Sequence, residues 1–573
     1  MINPSKRILK LSQQQIKISY FFIFIFCLFV STLYAQSNID QAAREVDRLS
    51  TKALEYALPP PPQKPPEIDI EHPPVEQEAE TKFFIQNIIL EGCESFSSEE
   101  FAPAIFQYEN KETTLSELNQ LAKEIEQEYL NRGIIAAVFI PPQEIKDQTI
   151  ILQVVEARMG KLGIEDHKYF KKSRLAYYWQ IPKGEILRYD QISKSIELMN
   201  KNSDRQVKSV LHAGKEPGTS EILLSPTTHF PLHLTSSFDN EGSISTGRAR
   251  IGAGGRHNNF LGFDDSLILG ETFGKDFGSM YIYHTVPISN QGTSVLYGYS
   301  FSVAEPKKDL TSSTVKSTAG NSTFSLHQDL FRKGERYGEV FAGFDAKDKT
   351  IITSTGTYSR DRLRILNAGF SVNYAGVQST TLIKPTLYQG INGFGARRRS
   401  VLTSREAGNT FTKLTLNVNH KRNLPFHLQT NANFAGQYCN EKLTPQEEFY
   451  LGGIDSVRGY PSGDFLADNA VQTNLELLIP SFFIPAQFKL PFDKNTLRNE
   501  ITLVAFYDYG YGMKRNPENT EGGSANFMSL GGGVRINLYA KSLLRLEWGV
   551  PVADRTITES SKTRFHFSVE SQF

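Results

Sequence analysis

Residues 230–573 show no helical period; apolar and polar residues instead take turns in short segments separated by turn-rich breaks. Leu232, Leu234 and Phe238 alternate with His233, Thr235 and Ser237, and Ala249, Ile251 and Ala253 with Arg248, Arg250 and Gly252. Near the end, Leu544, Leu546, Trp548 and Val550 alternate with Arg545, Glu547 and Gly549. Phe565, Phe567, Val569 and Phe573 then alternate with Arg564, His566, Ser568 and Glu570. A period of two marks strands, because successive side chains leave opposite faces. A long series of such strands leaves two architectures. In a soluble sandwich the polar face meets water; in a membrane barrel the apolar face meets lipid and the polar face lines a lumen.

Alternation alone does not separate these two, but four other features favour the barrel. The first is export: Lys6, Arg7, Lys10 and Lys17 precede an apolar run over residues 18–34, with Ala35 before the expected cleavage point. Residues 1–35 therefore read as a signal peptide; the competing reading, a membrane anchor, needs a longer run. The second is aromatic abundance, with 24 Tyr and 39 Phe. The third is the succession of segments with turn-rich breaks, and the fourth a final strand ending on Phe573. The length also fits, giving each of sixteen strands about 21 residues with its share of connection. No later apolar run reaches about 18 residues, so an exported chain of this kind meets a membrane as a barrel.

The residues between signal and barrel follow a different plan. Ile39, Ala42, Val46, Leu49, Ala53 and Ala57 recur at helical spacing among charges, which predicts a helix with a thin apolar stripe over 36–58. Residues 59–81 begin with a proline-dense run, expected to be an extended spacer that does not pack. Residues 82–159 read as strand, helix, helix, strand, strand: an apolar strand over 83–90, a short helix over 97–106, and a second helix opened by the capping box Thr114-Leu-Ser-Glu117. In that helix Leu118, Leu121, Ile125 and Tyr129 share a face, and Gly133 closes it; strands follow over 134–140 and 149–156. Residues 160–227 look like a weaker repeat, with Ile192, Ile196 and Met199 on one helical face and strands over 206–213 and 221–224.

One stretch breaks the alternation, "EEFYLGGIDSVRGYPSGDFLADN" over 447–469, with Arg458 bracketed by glycines. A phosphate-cradling loop is the first thought, but no Lys-Ser/Thr pair follows. No zinc, calcium or nucleophile-elbow pattern occurs elsewhere, so neither a metal, a cofactor nor an enzymatic activity is expected. Lys+Arg and Asp+Glu both number 62, which gives no basic footprint for nucleic acid. Cys93 and Cys439 fall in different units, and no disulfide is expected between them.

Taken together, these segments resemble the two-partner secretion transporters, also called haemolysin secretion/activation proteins, of the superfamily of barrels carrying periplasmic POTRA (polypeptide-transport-associated) domains. "LNRGIIAAVFIPPQEIKDQTIILQVVEARMGKL" looks like the end of a first POTRA domain and "GKEPGTSEILL" like that of a second. "NEGSISTGRARIGAGGRHNNFLGFDDSL" is similar to the first barrel hairpins, "LGGIDSVRGYPSG" to the sixth-loop motif and "FYDYG" to a late-strand motif. The resemblance implies two α+β POTRA domains, 82–159 and 160–227, followed by a transmembrane antiparallel β-barrel of sixteen strands over 228–573. It implies that helix 36–58 plugs the barrel and that the loop near 447–469 folds inward.

Carried over by motif, Arg458 forms a lumen salt bridge with Asp508, flanked by Gly452, Gly453, Val457, Gly459 and Tyr460 of the loop and by Phe506 and Gly510 of the late strand. Phe573 corresponds to the barrel-targeting C-terminus. The implied partners are a large, β-rich secreted protein of adhesin or cytolysin type, outer-membrane lipid, and the barrel assembly machinery during biogenesis. The implied function is capture of the unfolded partner by the POTRA domains through strand addition, then export through the lumen without nucleotide. A barrel-assembly factor is the alternative and a passive porin or adhesin the second. Arg397, Arg398 and Arg399 match no family motif; they read as a solvated loop or lumen patch, with lipopolysaccharide phosphate as a further candidate contact.

Overall fold

The computed structural model describes residues 68–70, 82–216, 218–305, 315–485, 487–488, 496–517, 522–539, 541–554 and 563–573. The expected signal peptide, the expected plug helix over 36–58 and most of the spacer lie outside the described residues.

The first α+β domain is a three-stranded sheet, Asn87–Glu91 beside Thr149–Glu156 beside Ala136–Phe139, covered by the helix Leu115–Asn131. The apolar positions of that helix lie three and four apart, so Leu118, Leu121, Ile125 and Tyr129 are all buried against Ile88, Leu90, Ile150, Leu152 and Val154. Its start is doubly capped. The Thr114 hydroxyl accepts the Glu117 N–H at 3.2 Å, and the Glu117 carboxylate accepts the Thr114 N–H at 2.9 Å, a pairing worth about 1 kcal/mol. Gly133 ends the helix in the left-handed region, φ 84. The apolar stretch over 83–90 is two strands, Lys82–Ile85 and Asn87–Glu91, and the former pairs with Lys111–Thr114 instead of joining the main sheet. Both edges of the main sheet are guarded by carboxylates: Ile88 N–H donates to Glu109 at 2.9 Å, and Val138 N–H to Glu126 at 2.8 Å.

In the second domain Arg158–Ile164, Thr219–Thr228 and Arg205–Ala213 form a sheet under the helices Lys172–Tyr178 and Tyr189–Met199. Its fourth strand corrects the sequence reading of the spacer. Ile68–Ile70, inside the proline-dense stretch, runs parallel along Ser209, Val210 and Leu211 as an edge strand. Proline cannot donate to a ladder, but these three residues fall between prolines and carry every N–H they need.

Sixteen antiparallel strands, from Leu232–Asp239 to Arg564–Gln572, close into a barrel. Closure removes all strand edges, the condition for crossing lipid with strands. The outward side chains are apolar and exposed, for example Phe324, Leu326, Leu366 and Phe370, and the alternate positions face a polar interior. First and last strands meet over a short seam, Thr235 beside Gln572 through Asp239 beside Ser568. Phe573 ends the chain at that seam, exchanging backbone hydrogen bonds with Leu234 at 2.8 and 3.0 Å.

The second domain is clamped to the near rim of the barrel. Arg205 forks onto Asp264 at 2.8 and 3.0 Å, and Lys201 meets Asp329 at 3.0 Å. Asp204 meets His233 at 2.7 Å, and Glu197 accepts the Gly334 N–H at 3.0 Å. Burial pushes the Glu197 carboxyl above its ordinary range, partly opposed by the Gly334 N–H and by Arg332 and Lys333.

Candidate functional site

The connection between the strands Gln429–Cys439 and Asn469–Pro480 leaves the far rim and turns back into the lumen. A small hairpin, Phe449–Leu451 with Phe465–Ala467, stiffens its two arms. Charges hold the base: Glu447 meets Lys347 and Lys413 at 2.7 and 2.6 Å, while Arg405 reaches Asp468 at 3.0 Å and also bonds Glu448.

At the tip, Arg458 is 1 % exposed. Its guanidinium forks onto Asp508, Nε to Oδ2 at 2.8 Å and Nη2 to Oδ1 at 2.7 Å, and its own backbone N–H reaches Oδ2 at 3.0 Å. The planar fork matches a carboxylate edge, which an ammonium does not. Nη1 points elsewhere, to Glu476 at 2.6 Å and Glu547 at 3.0 Å, and the ring of Phe506 lies 3.6 Å under the guanidinium carbon. Arg535 bonds both glutamates, and Arg545 bonds Glu547 at 3.2 Å. Three guanidiniums thus face three carboxylates, and none of these charges is buried alone.

The wall supplies these groups because of strand register. Asn474 lies beside Asp508, Glu476 beside Phe506, Gly533 beside Glu547 and Arg535 beside Arg545, so inward positions of four adjacent strands converge on one spot. Asn474 adds a hydrogen bond to Asp508 at 2.9 Å.

Glycines allow the contact. Gly452, Gly453 and Gly459 all take positive φ, at 102, 103 and 94. A Cβ on Gly459 would meet Gly549 backbone at 3.1 Å, and one on Gly549 would sit 2.4 Å from the Gly459 nitrogen. At Gly510 the atoms nearest a Cβ belong to side chains, Val457 at 2.8 Å and Leu451 at 2.9 Å, both fully buried. Val457 is fully buried; Tyr460 stacks on Phe527 at 4.1 Å and donates its hydroxyl to the Asp554 carbonyl at 2.9 Å.

A second attachment reaches the barrel seam. His566, on the last strand, accepts the Gly459 N–H at 3.1 Å through Nε2 and bonds Glu241 at 2.7 Å through Nδ1. Glu241, just past the first strand, also accepts the Ile454 N–H and the Ser462 hydroxyl, both at 3.3 Å. The infolded loop therefore straddles the place where the cylinder closes.

The structure brings Arg458, Asp508, Phe506 and the loop residues named by motif into one cluster, and leaves Phe573 at the seam on the near rim. Sequence reasoning missed Glu476, Glu547, Arg535, Glu241, His566 and Gly549. Only Gly549 carried a readable signal, since a glycine within a strand marks close approach of another backbone. Arg397, Arg398 and Arg399 lie on an outer loop and not in the lumen cluster. Cys93 and Cys439 are both free thiols.

A closed barrel carrying α+β modules on one rim, with its own loop ion-paired inside the lumen, defines an outer-membrane barrel of the POTRA-bearing class. The chain belongs to the haemolysin secretion/activation protein family ShlB/FhaC/HecB, whose profile it matches over residues 218–536, and residues 83–157 match the ShlB-type POTRA domain. It is 23 % identical over 500 residues to the heme/hemopexin transporter protein HuxB of Haemophilus influenzae, covering 83 % of this chain and 84 % of that one. To the outer membrane transporter CdiB of Dickeya dadantii it is 25 % identical over 367 residues, 62 % of this chain and 64 % of the other. The solved structure of CdiB from Escherichia coli superposes with a TM-score of 0.67 at 18 % identity, covering 95 % of this chain and all of that one. The protein is an outer-membrane transporter of the two-partner secretion class, with its POTRA region in the periplasm.

Proposed function

We propose that the chain captures a large, β-rich exported partner in unfolded form through its POTRA domains and passes it through the barrel lumen without nucleotide, the loop bearing Arg458 serving as a latch. The observation that carries this reading is a fully buried guanidinium on a connecting loop, fork-bonded to the inner wall of a pore. A loop needed only for connection would have no reason to bring a charge so far from water, where an unpaired guanidinium is costly.

Capture works by strand addition, in which main-chain hydrogen bonds give affinity without demanding one sequence. The edges described above are occupied at rest, by Glu109 and Glu126 in the first domain and by Ile68–Ile70 in the second. At these edges an arriving strand displaces the occupant, whereas the opposite edge of the second sheet, Arg158–Ile164, is not covered by Ile68–Ile70. Outer-membrane lipid surrounds the aromatic exterior, and the strand ending at Phe573 is what the barrel assembly machinery reads during insertion.

The test is secretion of a co-expressed cognate partner. Arg458→Ala is expected to abolish or sharply reduce partner in the medium while the barrel keeps its heat-modifiable mobility. Normal secretion by that variant would refute the latch.

A further inference from the structure

The strand Gly356–Ala375 runs past the membrane. On its outward face Leu366, Ala368, Phe370, Val372 and Tyr374 span nine residues, close to the ~9–11 that a tilted strand needs to cross. The next outward positions toward the far rim are Arg364, Arg362 and Arg360, whereas the inward neighbours Asp361, Leu363 and Ile365 are buried. The adjacent strand Arg336–Thr353 changes character at the same height, from Ala346 beside Arg364 to Asp348 beside Arg362.

The neighbouring loop, residues 391–411, is fastened to this column. Ile391 N–H donates to the Arg364 carbonyl and Arg397 N–H to the Arg362 carbonyl, both at 2.9 Å, and Arg360 N–H donates to the Leu402 carbonyl at 2.7 Å. Arg397, Arg398 and Arg399 are thereby brought beside Arg360 and Arg362. Among the described residues there, six guanidiniums stand near three carboxylates: Asp348, which holds Arg364 at 2.7 Å, Glu406, 3.8 Å from Arg399, and the inward-facing Asp361, within electrostatic reach of Arg397. Apolar groups accompany the charge. Phe394 packs edge-on against the outward ring of Phe344 yet is 80 % exposed, and Val401 is 82 % exposed.

We propose that this arginine rim binds the phosphate groups of an outer-leaflet lipid, a phosphorylated glycolipid headgroup, holding the barrel at its depth in the membrane. Guanidinium forks suit phosphate oxygens, and the site stands in line with lipid-facing side chains at the height where headgroups begin. The alternative occupant, an acidic segment of an emerging polypeptide, would meet the pore mouth, whereas Arg360, Arg362 and Arg364 stand on the outward face of the strand, in line with its lipid-facing residues.

The experiment is native mass spectrometry of the full mature protein in detergent with bisphosphorylated lipid A, dephosphorylated lipid A or inorganic pyrophosphate. Preferential retention of bisphosphorylated lipid A is expected. Arg360→Gln/Arg362→Gln/Arg397→Gln/Arg398→Gln should lower that retention by at least about tenfold, the loss of several charge-assisted hydrogen bonds. Heat-modifiable mobility checks that this barrel is folded, and the milder Arg398→Gln/Arg399→Gln, confined to the loop, should still lower retention measurably. Equal retention of dephosphorylated lipid A overturns the proposal, as does full competition by pyrophosphate at equal concentration, which would make the ligand a soluble phosphate. Secretion lost in the variants with lipid retention unchanged also overturns it, in favour of a polypeptide contact.

Discussion

Arg458 is held by geometry as much as by charge, and its substitutions should separate the two. Lysine keeps the charge but cannot fork onto Asp508 and reach Glu476 and Glu547 together. Arg458→Lys is therefore expected to secrete far closer to Arg458→Ala than to the native protein, with the loop more readily cut by added protease. Removing one member of a buried pair typically costs about 3–5 kcal/mol, because the partner is left uncompensated. Asp508→Asn added to Arg458→Ala should then cost less than the two single changes summed, by about 0.5–3 kcal/mol in detergent unfolding. Strict additivity would mean that the pair contributes no coupling. Two motifs made this pair readable from the chain. Glu476 and Glu547 were not readable, because nothing local says which inward residue of one strand lies beside which of the next.

At the scale of single elements, the loop and the wall meet backbone to backbone at Gly459 and Gly549. A Cβ at Gly549 would collide with main chain, which cannot step aside, whereas a Cβ at Gly510 would first meet the buried side chains of Val457 and Leu451, which can shift slightly. Gly549→Ala should expel the loop tip and impair secretion strongly, and Gly510→Ala only partly, with both barrels still closed; spin labels on loop and wall would report the displacement. The helix Leu115–Asn131 was legible almost to its last residue, since its capping box and apolar stripe are local signals. Ile68–Ile70 was not, because an edge strand of three residues draws its order from the sheet it joins.

For the whole molecule, the clamp between the second α+β domain and the barrel rim fixes that domain against the periplasmic end of the barrel. Glu197 lies within it, and burial raises its carboxyl above the ordinary range. The folded state thus binds this proton more tightly than the unfolded chain does, so the ionised group weakens the fold above its folded pKa and is relieved as the pH falls. Glu197→Gln keeps an acceptor for the Gly334 N–H and loses the charge. It should raise the unfolding midpoint of the second α+β domain at neutral pH, followed by Trp179 fluorescence, and the advantage should shrink on acidification. An advantage that grows on acidification would contradict the assignment.

The sequence by itself determined the run of strands, the two α+β modules and the loop motif, because alternation, capping and glycine placement act within a few residues of one another. Only the tertiary structure decided which charges share the lumen, that the loop spans the closing seam, and that a basic column stands at the outer rim above the lipid-facing band. Those outcomes depend on strand register and on loops returning to distant walls, and a one-residue slip in register would send every side chain of a strand to the other face.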